Sequence, residues 1–217
     1  MKGIRVSVKM VFKNPFFFEK EYKRSISKRL YELGIKRFTF SDLVCRRKKV
    51  IEEGFYAIDE ARFDFTTIYF EGVYDAINKI AQEGIGFKFG RVLDIFVDVK
   101  RIEFFNECYL LSPVLVLDEE GRSVDFVENP VLYNKLMRDK IIKRYIDVFG
   151  KLPKNDSFII IFRNTPAKIV EDEKIYIKSK CELYGSKELI YLANCIGIGD
   201  KNEEGFGMIS EELYFYK

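Results

Sequence analysis

Lys20, Arg24 and Lys28, followed by Tyr31, recur at spacings of four, four and three. On a helix these spacings bring side chains to one face, with Ser27 at its border. Such a row of cations can grip consecutive phosphates of a polyanion. A lysine with an unperturbed pKa of ~10.4 is almost wholly protonated at neutral pH. It is therefore a poor base, but it can act as an acid and can stabilise developing negative charge. Clustered cations lower a neighbour's pKa and make it a better acid. The same spacing equally suits a solvated helix face. The chain contains no histidine, so Ser-His, Cys-His and His-metal mechanisms are all excluded.

A second pattern lies near the end, where Gly197-Ile-Gly199 and Gly205-Phe-Gly207 are separated by five residues. Glycine is kept where φ must be positive or where something approaches the backbone closely. One use is an anion nest, in which the N–H groups of Gly197, Gly199, Gly205 and Gly207 meet phosphate oxygens and Lys201 adds charge. The other is a turn that lets two units pack. Asp200, Glu203 and Glu204 do not suit a phosphate cradle and are expected to point away. Arg46, Arg47, Lys48 and Lys49 form a candidate phosphate clamp or a basic hairpin tip. Lys174, Tyr176, Lys178 and Lys180 share one strand face opposite Ile175 and Ile177, where they could stack on and hold RNA or simply meet solvent. Arg138, Lys140, Lys143 and Arg144 read as surface charges of a long helix.

The elements that must position these groups follow from composition and periodicity. With 47% hydrophobic residues in 217, the chain can bury a real core and is not disordered. No run approaches the ~18 apolar residues of a membrane span. The first residues read as a strand rather than a signal peptide. Cys45, Cys108, Cys181 and Cys195 are scattered and form no zinc pattern, which points to buried free thiols and a cytoplasmic chain. From Lys20 to Lys49 there are eleven Lys or Arg against three acids, an asymmetry that fits a polyanion partner.

Alternation from Ile4 to Phe12 predicts a strand, and a helix is predicted over Glu19–Leu33, ended by Gly34. "KRFTFSDLV" and "ARFDFTTIYF" are strands, and Val73 to Ala81 is a helix stopped by Gly84. "GFKFGRVLDIFVDVKRI" supplies one long or two short strands. "GIGFKFG" resembles a nucleotide loop only superficially. A second round follows: the strand "CYLLSPVLVLD", a hairpin-type excursion at "DEEGRSVDF", and a helix that opens at Asn129-Pro130 and stops at Gly150. The strands "DSFIIIFRN" and "KIYIKSKCELYG", a short helix capped by Ser186, the glycine segment and a last strand in "MISEELYFYK" complete it. The fold class is α+β: two tandem ferredoxin-like (RRM-like, βαββαβ) units over residues 1–102 and 103–217, with a Gly-rich loop at 197–207.

The spacing G-hydrophobic-G-x5-G-hydrophobic-G between the last helix and last strand, "YLLSPVLV" at Tyr109–Val116 and "KRFTFSDL" at Lys36–Leu43 stand in order along the chain. Together they resemble the CRISPR-associated repeat-processing endoribonucleases of the RAMP superfamily. The resemblance implies binding of the CRISPR repeat in a precursor transcript and one metal-independent cut per repeat. The 2′-OH attacks the adjacent phosphate, leaving a 2′,3′-cyclic phosphate and a 5′-OH. No cofactor, metal or membrane is implied; a homodimer and other CRISPR effector subunits are possible partners. Many members of the family carry a histidine after the first helix, a tyrosine on that helix and a lysine before Phe-Thr-Phe-Ser. Here that lysine matches Lys36, the helical tyrosine falls near Lys28 with Tyr31 one turn further on, and the histidine has no counterpart. Three readings stand: cutting by Lys28 and Lys36 with Tyr31 positioning, a non-catalytic repeat-RNA binder, and a generic ferredoxin-like RNA-binding protein. In the cutting reading, as in the other two, Lys20, Arg24, Ser27, Arg46, Arg47, Lys48, Lys49, Tyr176, Lys178, Lys180, Lys201 and the four loop glycines are expected to hold RNA.

Overall fold

The computed structural model describes residues 2–85 and 92–213. Strand β1 (Gly3–Phe12) buries Val6, Val8 and Met10 and turns Arg5, Ser7 and Lys9 to the other face, as period-2 alternation requires. It is followed by β2 (Phe16–Glu19), α1 (Tyr22–Glu32), β3 (Phe38–Phe40), β4 (Val44–Cys45), β5 (Lys48–Ile51), β6 (Gly54–Ala57), β7 (Glu60–Ile68), α2 (Val73–Glu83) and β8 (Val92–Arg101). The second half runs β9 (Glu107–Leu110), β10 (Val114–Leu115), α3 (Pro130–Phe149), β11 (Phe158–Phe162), β12 (Ala167–Glu171), β13 (Lys174–Lys178), β14 (Lys180–Gly185), α4 (Lys187–Ile196) and β15 (Ile209–Ser210).

The main sheets are ordered β3-β7-β1-β8 and β11-β14-β9-β15. Leaving aside β4, which also pairs with β7, and counting the four strands of each path in chain order, both run second, third, first, fourth. This is the tandem ferredoxin-like architecture that the element order implies. Each sheet packs helices on one face: Ile26 and Leu30 of α1 with Ile77 and Ile80 of α2 in one core, Met137 and Ile141 of α3 with Leu189 and Ala193 of α4 in the other. No helix of the described residues is long and apolar enough to cross a membrane.

Three local expectations give way to tertiary pairing. The first helix starts at Tyr22, not Glu19, because Phe16–Glu19 pairs with β6 and thereby buries Phe16 and Phe18. Lys20 is thus outside the helix. "KIYIKSKCELYG" is two strands in different sheets: β13 pairs with β10 and β12, and β14 with β11 and β9. Tyr176 and Lys178 are therefore not on the same strand as Lys180. Of the expected last strand only Ile209–Ser210 pairs, and its residues 214–217 lie outside the described residues. So do residues 86–91 of "GIGFKFG" and of the strand read after it; Gly84 ends α2 at φ 77°. Asn129 caps α3 by accepting from the Leu132 N–H, and Gly150 ends that helix in the left-handed region. Ser186 precedes α4 as expected, though its side chain makes no cap bond.

Of the eight residues from Leu189 to Ile196, all but Tyr191 are buried, so α4 is enclosed on nearly every side. A helix apolar all round is one covered on all faces. One side meets β14 and α3, while the other lies across β7, β1 and β3, on the face of the first sheet opposite α1 and α2. The Gly3 N–H donates to Tyr191 Oη at 3.2 Å, and that hydroxyl donates to the Ile102 carbonyl at 3.1 Å. A Cβ on Gly3 would lie 2.3 Å from Cys195 Sγ. Gly3→Ala is expected to cost about 1–3 kcal/mol through overpacking. Adding Cys195→Ala to it should recover much of that loss. Denaturant unfolding of the two single variants and the double variant measures this coupling; additive losses would show that the two residues do not meet.

Candidate functional site

Helix α1 is anchored by Ile26 and Leu30 and carries Arg24, Ser27, Lys28 and Tyr31 outward. The Tyr22 hydroxyl accepts from the Leu43 N–H at 3.2 Å. Lys23, not singled out by the spacing, turns inward. Its ammonium is 2.7 Å from Asp42, donates to the Gly205 carbonyl at 2.9 Å and lies 4.5 Å from the centre of the Phe206 ring. Lys178 of β13 reaches the same Asp42 at 2.7 Å. Burial pushes the Asp42 carboxyl up, but the two ammonium groups more than offset it and hold it below its usual range. Lys178, a candidate RNA contact, is thus committed to an ion pair between the halves. Tyr176 stacks on Phe206, with ring centroids 5.2 Å apart and 19° between planes, so one face of that candidate platform is already covered.

The glycine segment is a folded seam. Gly199 has φ 75° and a Cβ there would lie 2.4 Å from the Leu115 carbonyl; Gly207 has φ 71° and a Cβ there would lie 1.8 Å from the Ile198 carbonyl. The N–H groups of Gly197, Gly205 and Gly207 donate to the carbonyls of Ala193, Asn202 and Pro113. The anion-nest expectation is corrected on this point, because those three donors are used within the protein. Asn202, missed in the sequence, stitches the glycine pairs together by donating to the Ile198 and Phe206 carbonyls at 2.8 and 2.9 Å. Thr39 of β3 donates to the Phe206 carbonyl at 2.9 Å. Arg144, read as a surface charge, is instead packed under the loop and donates to the Gly197 and Gly199 carbonyls; burial lowers its pKa. Asp200 accepts from the Leu117 N–H at 2.7 Å and pairs with Lys140 at 3.0 Å.

Glu203 faces the helix rather than pointing away. Its carboxylate accepts from the Tyr31 hydroxyl and, at 2.6 Å, from the Arg37 N–H. Arg37 holds a left-handed φ of 53° and donates from its guanidinium to the Asp147 carbonyl of α3 at 2.6 Å. Partial burial, then the hydrogen bond to Glu203, pushes the Tyr31 phenol up to about 12. At neutral pH it therefore keeps its proton and acts as a hydrogen-bond donor to Glu203. Neither Arg37 nor Glu203 stood out in the sequence; a left-handed arginine is invisible to spacing arguments.

Two hollows adjoin here and share Ser27 and Glu204 in their walls. The smaller, 360 Å³, is lined by Tyr31, Arg37, Arg144, Lys201 and Glu203. The larger, a groove of 800 Å³, is lined by Lys20, Lys23, Arg24 and Lys48, by Tyr176 and Phe206, and by the carboxylates of Glu21, Asp42, Glu171, Asp172 and Glu204; Arg24 pairs with Glu21 at 2.8 Å. The fold thus gathers Lys20, Arg24, Ser27, Tyr31, Lys48, Tyr176 and Lys201. Lys28 is outside both hollows, exposed and 3.8 Å from Glu32. Lys36 is exposed beside them, and its carbonyl accepts from Thr67. Arg46 and Lys49 lie outside both hollows. Arg47 is tied to Asp59 at 2.6 Å, and Lys180 lies over Tyr109 on the second sheet, 5.2 Å from the ring centre.

The family described as CRISPR associated protein Cas6, C-terminal, matches residues 99–211, more than half of the chain. The chain belongs to the Cas6 family. It is 28% identical over 191 residues to the CRISPR-associated endoribonuclease-like protein Cas6 of Pyrococcus furiosus, covering 79% of this chain and 77% of that protein. It is 25% identical over 187 residues to the endoribonuclease-like protein Cas6nc of Pyrococcus horikoshii, covering 79% and 78%. A solved CRISPR associated protein Cas6 matches with a TM-score of 0.70 at 20% identity, over 97% of this chain and all of that one. A RAMP protein binding different RNA substrates matches at 0.67 and 24% identity, over 96% and 98%. A Cas6 substrate mimic complex matches at 0.56 and 13%, over 95% and 98%. At these identities the solved structures establish the shared fold. The Cas6 family includes members that process CRISPR repeat RNA.

Gly207→Ala is expected to lose about 3 kcal/mol, since left-handed strain adds to a backbone clash. Gly34→Ala, at φ 79° with nothing within 4 Å, should lose about 1 kcal/mol. Thermal unfolding of the pair separates strain from contact. Because the folded pKa of Asp42 is depressed, its contribution to stability is fully present above the ordinary value of 3.8 and is lost as pH falls below it. Asp42→Asn should therefore flatten the acid limb of the stability curve; an unchanged limb would refute the shared-carboxylate linkage.

Proposed function

We propose that this Cas6-family chain captures CRISPR repeat RNA in the groove beside α1 and holds it without rapid cutting. The observation that carries this reading is the Glu203 carboxylate, seated on the Tyr31 hydroxyl and the Arg37 N–H. A fixed negative charge at those donors repels the dianionic phosphorane that a nuclease must stabilise. No imidazole is available to move a proton near pH 7. Lys20, Arg24 and Lys48 on one wall suit consecutive phosphates, with affinity that falls as salt rises. Glu171 and Asp172 of the second half disfavour a polyanion on their side of the groove. Lys201 stands at the smaller hollow.

A second reading rests on the exposed Lys28 and Lys36 beside a phenol that keeps its proton. In a metal-independent cut the 2′-oxygen bonds phosphorus as its proton passes to water. The P–O5′ bond breaks, and an ammonium donates its proton to the leaving oxygen. The products are a 2′,3′-cyclic phosphate and a 5′-OH, with alignment of the RNA supplying much of the rate.

The deciding experiment incubates the full chain with the repeat RNA of its own genome in EDTA, alongside Lys28→Ala and Lys36→Ala. Saturable, salt-sensitive binding with intact RNA after hours is the expected result. A single cut per repeat carrying a cyclic phosphate, and lost in either variant, would overturn the capture reading in favour of the nuclease.

A further inference from the structure

A cross-strand row on the first sheet runs Thr39, Thr66, Arg5, Lys100 through β3, β7, β1 and β8. The second half covers Thr39 with the Gly-rich loop and Arg5 with Ser210, whose Oγ accepts from the guanidinium at 2.7 Å. Between them a cavity of 150 Å³ remains, with Thr66 and Arg5 on one side and Asn194 of α4 on the other. Thr66 is 2% exposed and Asn194 1%. Thr66 Oγ1 and Asn194 Nδ2 have no hydrogen-bond partner among the described residues. The Asn194 oxygen already accepts from the Phe105 N–H at 3.2 Å, which directs its amide nitrogen elsewhere.

An unsatisfied buried polar group costs about 1–3 kcal/mol, and here two such groups line one cavity. Both can donate. The complementary ligand therefore brings acceptors. Ile102, Phe105 and Ile209 supply apolar wall. Around the rim, Lys100 and Arg101 face Glu103, Glu211 and Glu212, and Arg5 is paired with Asp64 at 2.5 Å. A rim with more carboxylates than unpaired cations does not favour a free anion. It favours a neutral, flat group with apolar faces and an acceptor edge.

We propose that this cavity takes a single unstacked nucleobase of the bound RNA, with its carbonyl or ring-nitrogen edge toward Thr66 and Asn194 and a face toward Phe105. Single-stranded RNA is commonly read in this way. The inference rests on the RNA-binding reading above and adds a base-specific pocket on the seam between the halves, apart from the α1 groove.

The test uses the full chain and a set of repeat RNAs of its own genome, each with one nucleotide made abasic. Thr66→Val keeps the shape of the side chain and removes only the orphan hydroxyl, so its thermal midpoint should hold or rise. Asn194→Asp keeps the acceptor for Phe105 and reverses the donor. One abasic position is expected to weaken wild-type binding about tenfold, while the two variants bind intact RNA that much more weakly and no longer respond at that position. If wild type binds the repeat but both variants show its full response at every position, the cavity holds water only and the pocket is overturned while RNA binding stands. If wild type does not bind the repeat selectively, the RNA-binding reading falls and the pocket falls with it.

Discussion

The structure depends on the seating of α4 and the Gly-rich loop against the face of the first sheet opposite its helices. A ferredoxin-like sheet covers one face with its own helices and leaves the other open. Here the second half closes much of that open face. The face is prepared for it by small and polar side chains, namely Gly3, Thr39, Thr66 and Arg5, rather than by a second apolar layer. Gly3 admits Cys195, Thr39 holds the Phe206 carbonyl and Arg5 holds Ser210. Hydrogen bonds across such a seam contribute about 1 kcal/mol each, but they require one register. A slipped seam would leave their donors buried and unpaired.

This constraint explains the glycines. The loop must pass under Pro113 and Leu115, over Phe40 and beside Arg144, and its carbonyls are the acceptors that Arg144, Lys23, Thr39 and Asn202 need. The cations around it are likewise engaged in cohesion. Lys23 and Lys178 neutralise one carboxylate from opposite halves; Lys140 holds Asp200. Of the cationic excess between Lys20 and Lys49, only part faces solvent where a phosphate could reach it.

Much of the architecture was legible because it rests on local signals. Alternation in β1, Asn129-Pro130 before α3, and Gly34, Gly84 and Gly150 after their helices are short-range facts with short-range causes. The losses came where pairing partners decide. Phe16–Glu19 has helix-compatible neighbours, yet it pairs with β6. The hairpin of β12 and β13 turns on Asp172 and Glu173 at φ 48° and 63°, where no glycine or asparagine announces it. The single run "KIYIKSKCELYG" gives no sign that Ser179 passes between two sheets. In the site, spacing found Tyr31 but not Glu203 or Arg37, because their meeting depends on the loop being folded onto α1 from about 170 residues away in sequence.

The position of Glu203 ties cohesion to function. A carboxylate that accepts from Tyr31 and Arg37 satisfies the same donors that a phosphate oxygen would seek. The free protein is thereby preorganised, since those donors stay fixed without RNA. RNA must then either displace the carboxylate or pass it at a distance. Displacement would break the link between the loop, α1 and the Arg37 turn. Passing would leave the seam intact and, in the capture reading proposed above, would run the phosphates along Lys20, Arg24 and Lys48. The second route conserves every contact that holds the halves together. In that reading, a chain that has no histidine to gain from close approach to Tyr31 has a physical reason to keep RNA on the outer wall.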